Sequence, residues 1–263
     1  MKACRLLVAL VLVCSGFLSG AHEVVDLDRI TSAPTVENPA VVQGLESLPL
    51  VEVPAEGSGR DILAVLLTGD GGWAVTDKGL AQELAASGVS VVGLNSLKYF
   101  WTRRTPDEAA SDLAKILRHY LAAWEKKRAV LIGYSFGADV LPFMMNRLPE
   151  DLQAAVGTIV LISPSASAEF KFHALDWLGL SSGRNAFPVV PEIRKIRPDV
   201  AILCVHGEKD EAQICGALDP GRAQSVALPG GHRMGQGYGP VASAILASLK
   251  GPQGPSPSPH RPE

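Results

Sequence analysis

Short unbroken apolar runs alternate along this chain with segments whose apolar positions recur every three or four residues. Residues 62–67 form an uninterrupted apolar run that stops at Thr68-Gly69-Asp70-Gly71-Gly72, which reads as a buried strand ending in a turn. Residues 78–87 carry helical spacing through Leu80, Leu84 and Ala85, with Gly88 where a helix C-terminus is expected. A second strand is predicted over 89–94. Pro106 then opens a long helix whose stripe is Ala109, Leu113, Ile116, Leu117, Tyr120 and Trp124. Strands are predicted over 130–133, 159–162 and 200–205, and helices over about 136–147 and 242–249. This alternation predicts an α/β fold with a mostly parallel central sheet covered by helices on both faces.

The two ends of the chain break the pattern. Lys2 and Arg5 precede an almost wholly apolar run over 6–18, and Ser19-Gly20-Ala21 then supplies the small residues a leader peptidase requires. Residues 1–21 thus have the layout of a secretory signal peptide. An uncleaved anchor is the weaker alternative, because a run this short barely spans a bilayer. Residues 22–47 are polar, contain Pro34 and Pro39, and read as an extended lead-in. Residues 251–263 hold Pro252, Pro255, Pro257, Pro259 and Pro262 and read as a disordered tail. The folded domain is expected over 48–250.

Composition adds exclusions. With 47% hydrophobic and 19% charged residues the chain is neither disordered nor fibrous. Its net charge is -3, and removing Lys2 and Arg5 with the leader leaves 22 basic against 27 acidic residues. An acidic chain of this kind lacks the basic face a nucleic acid would need. Cys4 and Cys14 leave with the leader, so an exported chain keeps Cys204 and Cys215. In an oxidising compartment these two are expected to pair, the alternative being a free Cys204 buried on a strand. Neither a metal site nor a cofactor is suggested.

The candidate chemistry lies at Gly133-Tyr134-Ser135-Phe136-Gly137, a G-x-S-x-G segment between a predicted strand and a predicted helix. A sharp strand-to-helix turn lifts a serine above the sheet, which makes Ser135 the candidate nucleophile. The acid and base should follow in that order along the chain. Asp210 sits in a loop just past a predicted strand, with Glu208 and Glu211 as alternatives. His232, in Gly230-Gly231-His232 ahead of the last helix, is the candidate base; His22, His119, His173, His206 and His260 fit this role less well. The oxyanion hole would take the amide of Phe136 and a second from the glycine turn, Asp70 first and Gly71 next. A Cys204–Cys215 bond would clamp the loop that carries Asp210.

Residues 66–73, 95–101 and above all 133–146 (GYSFGADVLPFMMN) resemble the VirJ/AcvB family of bacterial periplasmic proteins. Arg147-Leu148-Pro149, the Cys204/Cys215 pair and Leu228-Pro229-Gly230-Gly231-His232 extend the likeness across about 48–249. The resemblance implies an α/β-hydrolase fold, a periplasmic location, and hydrolysis of aminoacylated phosphatidylglycerol, chiefly the lysyl form. It further implies transient contact with a membrane surface and, for some members, ties to virulence and type IV secretion components. Family members often carry a second His and an Asp after the base; here Arg233, Met234 and Gly235 follow His232, which leaves head-group preference open. On such a substrate Asp70 or Asp139 would face the cationic aminoacyl group, and Lys98, Arg103 or Arg104 the phosphodiester. The insertion between Pro164 and Pro198, with Phe170, Phe172, Leu175, Trp177 and Leu178, reads as a packed cap, with a lid or a membrane-contacting patch as alternatives.

Overall fold

The computed structural model describes residues 44–56, 59–171, 186–234 and 238–249. The stretches expected to be a signal peptide and a tail, most of the expected lead-in, and Phe172, Leu175, Trp177 and Leu178 of the insertion lie outside these residues. The elements run β1 (Leu50–Val53), β2 (Ile62–Leu67), α1 (Val75–Ala86), β3 (Ser90–Leu94), α2 (Ser96–Tyr99), α3 (Pro106–Ala123), β4 (Arg128–Tyr134) and α4 (Phe136–Met145). There follow α5 (Glu150–Ala155), β5 (Val156–Ile162), β6 (Ser167–Ala168), β7 (Phe187–Pro188), α6 (Val189–Ile193), β8 (Ala201–Gly207), β9 (Ala223–Leu228) and α7 (Gly239–Ser248).

Seven strands form one sheet in the order β1-β3-β2-β4-β5-β8-β9. Every pairing is parallel except that of β1 with β3, which puts an antiparallel strand at one edge. The continuous apolar runs now have a cause. Along β2, Leu63, Val65 and Leu67 enter the core beneath α3, α4, α5 and α6, while Ile62, Ala64 and Leu66 enter the core beneath α1 and α7. A strand whose alternate side chains feed two cores has no polar face to show. Each fully buried Leu or Ile there contributes roughly 1.5–3 kcal/mol relative to exposure.

Local signals place the helices. The Thr105 amide donates to Glu108 Oε2 (2.7 Å) and the Glu108 amide to Thr105 Oγ1 (3.1 Å), a capping box that starts α3 with Pro106 in its first turn. Gly88, at φ +85°, follows α1 and donates to the Ala85 carbonyl. Helix α1 begins three residues earlier than its apolar spacing indicates, because Asp77 Oδ2 accepts from the Ala74 amide and fixes the first turn.

Strand β9 is absent from the sequence prediction. It is an edge strand whose Gln224, Ser225 and Ala227 are exposed, so it offers no apolar run to detect. Within the insertion, β6 pairs with β7, and Phe170 is buried against Phe100, Phe143 and Phe187. This described part of the insertion is a packed cap. Because the strands of the main sheet other than β1 are parallel, the loops that follow them gather at one end, where open α/β sheets carry their sites.

Candidate active site

At the end of β4 the chain turns into α4 through Ser135, whose backbone lies at φ 51°, ψ -118°. A serine in this region is strained and is held there by its surroundings. The Ser135 amide donates to the Ile162 carbonyl at 2.8 Å. Both flanking glycines are required by close approach. A Cβ on Gly133 would meet the Gly137 carbonyl oxygen at 2.5 Å. One on Gly137 would meet the Thr68 carbonyl oxygen at 2.7 Å and overlap that of Leu67. The helix can therefore cross directly over the end of β2 only with glycine at both positions.

His232 reaches the same point from the loop after β9. Its Nε2 lies 2.8 Å from Ser135 Oγ and its Nδ1 lies 3.0 Å from Asp210 Oδ2. The Asp210 side chain is buried, whereas Glu208 and Glu211, the alternative acids, are exposed. Two backbone hydrogen bonds join the acid loop to the base loop: the Glu208 amide donates to the Leu228 carbonyl and the Lys209 amide to the Gly230 carbonyl, each at 2.8 Å. The Ser163 hydroxyl donates to the His232 carbonyl at 3.3 Å. Gly207 makes this packing possible, since a Cβ there would overlap the Gly231 carbonyl oxygen. Cys204 and Cys215 are bonded, with sulfurs 2.06 Å apart, and close the segment that carries Asp210.

The glycine turn lies alongside the serine. A Cβ on Gly69 would sit 3.5 Å from Ser135 Cβ, and the Gly72 amide donates to the Gly69 carbonyl at 3.1 Å. Asp70 and Gly71 form the corner of this turn. Among the described residues their amides, like that of Phe136 at the first position of α4, donate to no protein acceptor. Helix N-termini favour negative charge through such unpaired amides.

The other candidates separate. Asp139, one helical turn beyond Ser135, is buried and committed: its Oδ1 accepts from the Ser165 amide (2.6 Å) and its Oδ2 from the Ser165 hydroxyl (2.9 Å). Burial pushes its pKa up to about 7 despite these bonds. It braces α4 against the loop after β5, which corrects the expectation that it faces a ligand. Lys98 and Arg103 are exposed, and Arg104 lies over the Tyr99 ring, 4.9 Å from its centre. Gly207, Ser163 and Asp77 were not found by sequence reasoning. Asp77 is buried, its pKa raised to about 6 by burial, and its Oδ1 has no partner among the described residues. No cluster of metal-binding side chains occurs among the described residues.

A family model described as bacterial virulence protein (VirJ) matches residues 61–252. The chain belongs to the VirJ family. Solved structures similar to this VirJ-family chain include one described as an α/β serine hydrolase homologue and others described as esterases. Est1E from Butyrivibrio proteoclasticus is 12% identical with a TM-score of 0.56, covering 76% of this chain and 91% of its own. An α/β serine hydrolase homologue from Coxiella burnetii is 16% identical with a TM-score of 0.53, covering 76% and 90%. A Pyrococcus furiosus esterase is 15% identical with a TM-score of 0.52, covering 77% and 90%. At these identities the likeness is one of fold, and it makes the VirJ-family domain an α/β-hydrolase fold. No curated protein sequence matched the chain.

Proposed function

We propose that the protein is a periplasmic serine hydrolase that cleaves the aminoacyl ester of aminoacylated phosphatidylglycerol, the lysyl form foremost. The observation that carries this reading is the hydrogen-bonded chain from Ser135 Oγ through His232 to buried Asp210. Ser135 Oγ attacks the ester carbonyl while its proton passes to His232 Nε2, and Asp210 stabilises the imidazolium through Nδ1. The amides of Phe136 and of the Asp70–Gly71 corner donate to the oxyanion that develops. Collapse breaks the bond to the glycerol oxygen, which leaves with the proton held by His232. The aminoacyl group is then esterified to Ser135. Water, deprotonated by His232, attacks this ester, and the amino acid departs as Ser135 recovers its proton.

The aminoacyl-lipid substrate is supported by the VirJ resemblance and by Lys98 and Arg103, which are exposed in the segment that follows β3. Asp70, exposed at the turn, is left for the cationic aminoacyl group now that Asp139 is committed to Ser165. The leader-like first 21 residues and the Cys204–Cys215 bond suit an oxidising compartment outside the cytoplasm. Partners among secretion-system components are carried by the resemblance alone. The test incubates purified protein with lysyl-phosphatidylglycerol and, separately, with short-chain nitrophenyl esters. Release of lysine and phosphatidylglycerol that disappears in Ser135→Ala is the expected result. Cleavage of the nitrophenyl esters alone would replace the lipid by a soluble ester. Turnover of neither would leave a non-catalytic binding scaffold.

A further inference from the structure

Asp77, in the first turn of α1, is a buried carboxylate (3% exposed) that the triad does not use. Its Oδ2 accepts from the Ala74 amide at 3.2 Å, and its Oδ1 meets no donor among the described residues. Burial already pushes this carboxyl up to about 6. Buried polar groups in folded proteins are met by a protein donor or by an ordered water.

A small cavity lies against Asp77, and Thr76, Tyr134, Arg233 and Tyr238 supply its other polar walls. Its volume is about 10 Å³, the room that one water molecule requires. A buried water also needs about two to four polar partners, and these walls offer them.

Two of the walls belong to the catalytic machinery. Tyr134 precedes Ser135, and its ring lies tilted against that of His232, with centroids 5.9 Å apart. A Cβ on Gly69 would meet the same Tyr134 ring at 3.3 Å, so the ring also touches the glycine turn beside Ser135. Arg233 and Met234 follow His232. The Met234 amide donates to the Gly231 carbonyl at 2.8 Å, which closes the turn that carries the base. Met234 lines the cavity too, and it is buried with its backbone at φ 48°. A residue other than glycine keeps that angle only where its surroundings fix it. The Tyr134 hydroxyl is close enough to Arg233 and Asp77 to feel the charge of each. The free oxygen of Asp77, the residue before the nucleophile and the turn of the base therefore border one polar space.

We propose that this cavity binds one water molecule, which donates to Asp77 Oδ1 and accepts from the Tyr134 hydroxyl and the Arg233 guanidinium, and that Asp77 positions His232 through it. The proposal rests on the reading of His232 as the base. Asp77 touches neither substrate nor reacting atoms. It acts by holding the Tyr134 ring and the base turn against each other.

A crystal structure of the full chain tests the water directly. Density for a water within hydrogen-bond distance of Asp77 Oδ1 and Tyr134 Oη is expected; a dry cavity, or a protein donor on Oδ1, would overturn the proposal. Kinetics test the role. Asp77→Asn keeps an acceptor for the Ala74 amide, and Tyr134→Phe keeps the ring against His232. Each should lower kcat for ester hydrolysis about tenfold with KM unchanged. The double variant should also stay near tenfold, because both changes remove one bridge, whereas independent effects would multiply to about 100-fold and contradict a shared water. Lys78→Gln, an exposed neighbour on α1, is the control and should leave kcat unchanged. Melting curves show which variants are folded, and either single variant alone carries the test if the other is not. The low-field proton between His232 Nδ1 and Asp210, read by NMR, needs no turnover. It should be sharp in the parent protein and broadened in both variants. Unchanged kcat and an unchanged proton signal in folded variants would overturn the positioning role. If the water and its effect on this proton are found but no ester is ever cleaved, the site stands and the hydrolase reading fails.

Discussion

Gly207→Ala is a probe of the site that touches none of its reacting groups. A Cβ at this position would lie 2.7 Å from the Gly230 carbonyl oxygen and would overlap that of Gly231, whereas ordinary contacts begin at 3.4 Å. The base loop must therefore recede by at least 0.7 Å at Gly230, and by more at Gly231, the residue before His232. Both loops are pinned to each other by the amides of Glu208 and Lys209, so the strain cannot be absorbed by the acid loop moving alone. His232 Nε2 then withdraws from its 2.8 Å approach to Ser135 Oγ. A displacement near 1 Å costs about 100-fold in rate. The assay is kcat for ester hydrolysis, read beside the melting temperature. Gly216→Ala, where an added Cβ meets nothing within 4 Å, serves as the control. The expected result is a drop in kcat of about 100-fold for Gly207→Ala and none for Gly216→Ala. A Gly207→Ala enzyme that is folded and fully active would refute the claim that glycine at this position sets the base.

Further outcomes follow from the same geometry. Replacing both Cys204 and Cys215 by serine opens a link across 11 residues, which in the chain-entropy account is worth about 3 kcal/mol. Chemical denaturation should show that loss, and kcat should fall too because Asp210 lies inside the closed segment. Asp139 and Asp77 carry folded pKa values of about 7 and about 6, both above their ordinary 3.8. The folded state therefore holds protons that the unfolded chain releases, and the stability these groups contribute is complete below pH 3.8 and is withdrawn as pH rises through 6 and 7. Asp139→Asn, which keeps an acceptor for the Ser165 amide, should flatten the melting temperature between these limits; an unchanged pH profile would count against a protonated Asp139.

Much of the fold is legible in the sequence because β2, β4 and β5 are apolar on both faces and the segments between them are amphipathic or glycine-marked. Ser135 is legible because its turn demands glycine two residues away on each side, a constraint written locally. Asp210 and His232 are legible by order along the chain and by their place after strands. The rest depends on contacts between distant segments. Nothing in the composition of β9 marks a strand, since an edge strand needs one apolar face and this one has little. Gly207 looks like any glycine at a strand end until the Gly231 carbonyl is seen against it. Asp139 stands four residues after Ser135, and helical periodicity puts it near the site; that Ser165 claims both its oxygens is a fact of tertiary packing. The cap is legible as apolar, but only the ring contacts of Phe170 show which part of it is buried.

The claim on which the rest depends is that Ser135 forms a covalent aminoacyl ester. The most direct measurement is mass spectrometry of the protein quenched with acid during turnover of lysyl-phosphatidylglycerol, followed by peptide mapping. The expected result is a mass gain of one lysyl group on the peptide containing Ser135, absent in Ser135→Ala. Lysine release with no adduct on Ser135, or unchanged release in Ser135→Ala, would contradict it.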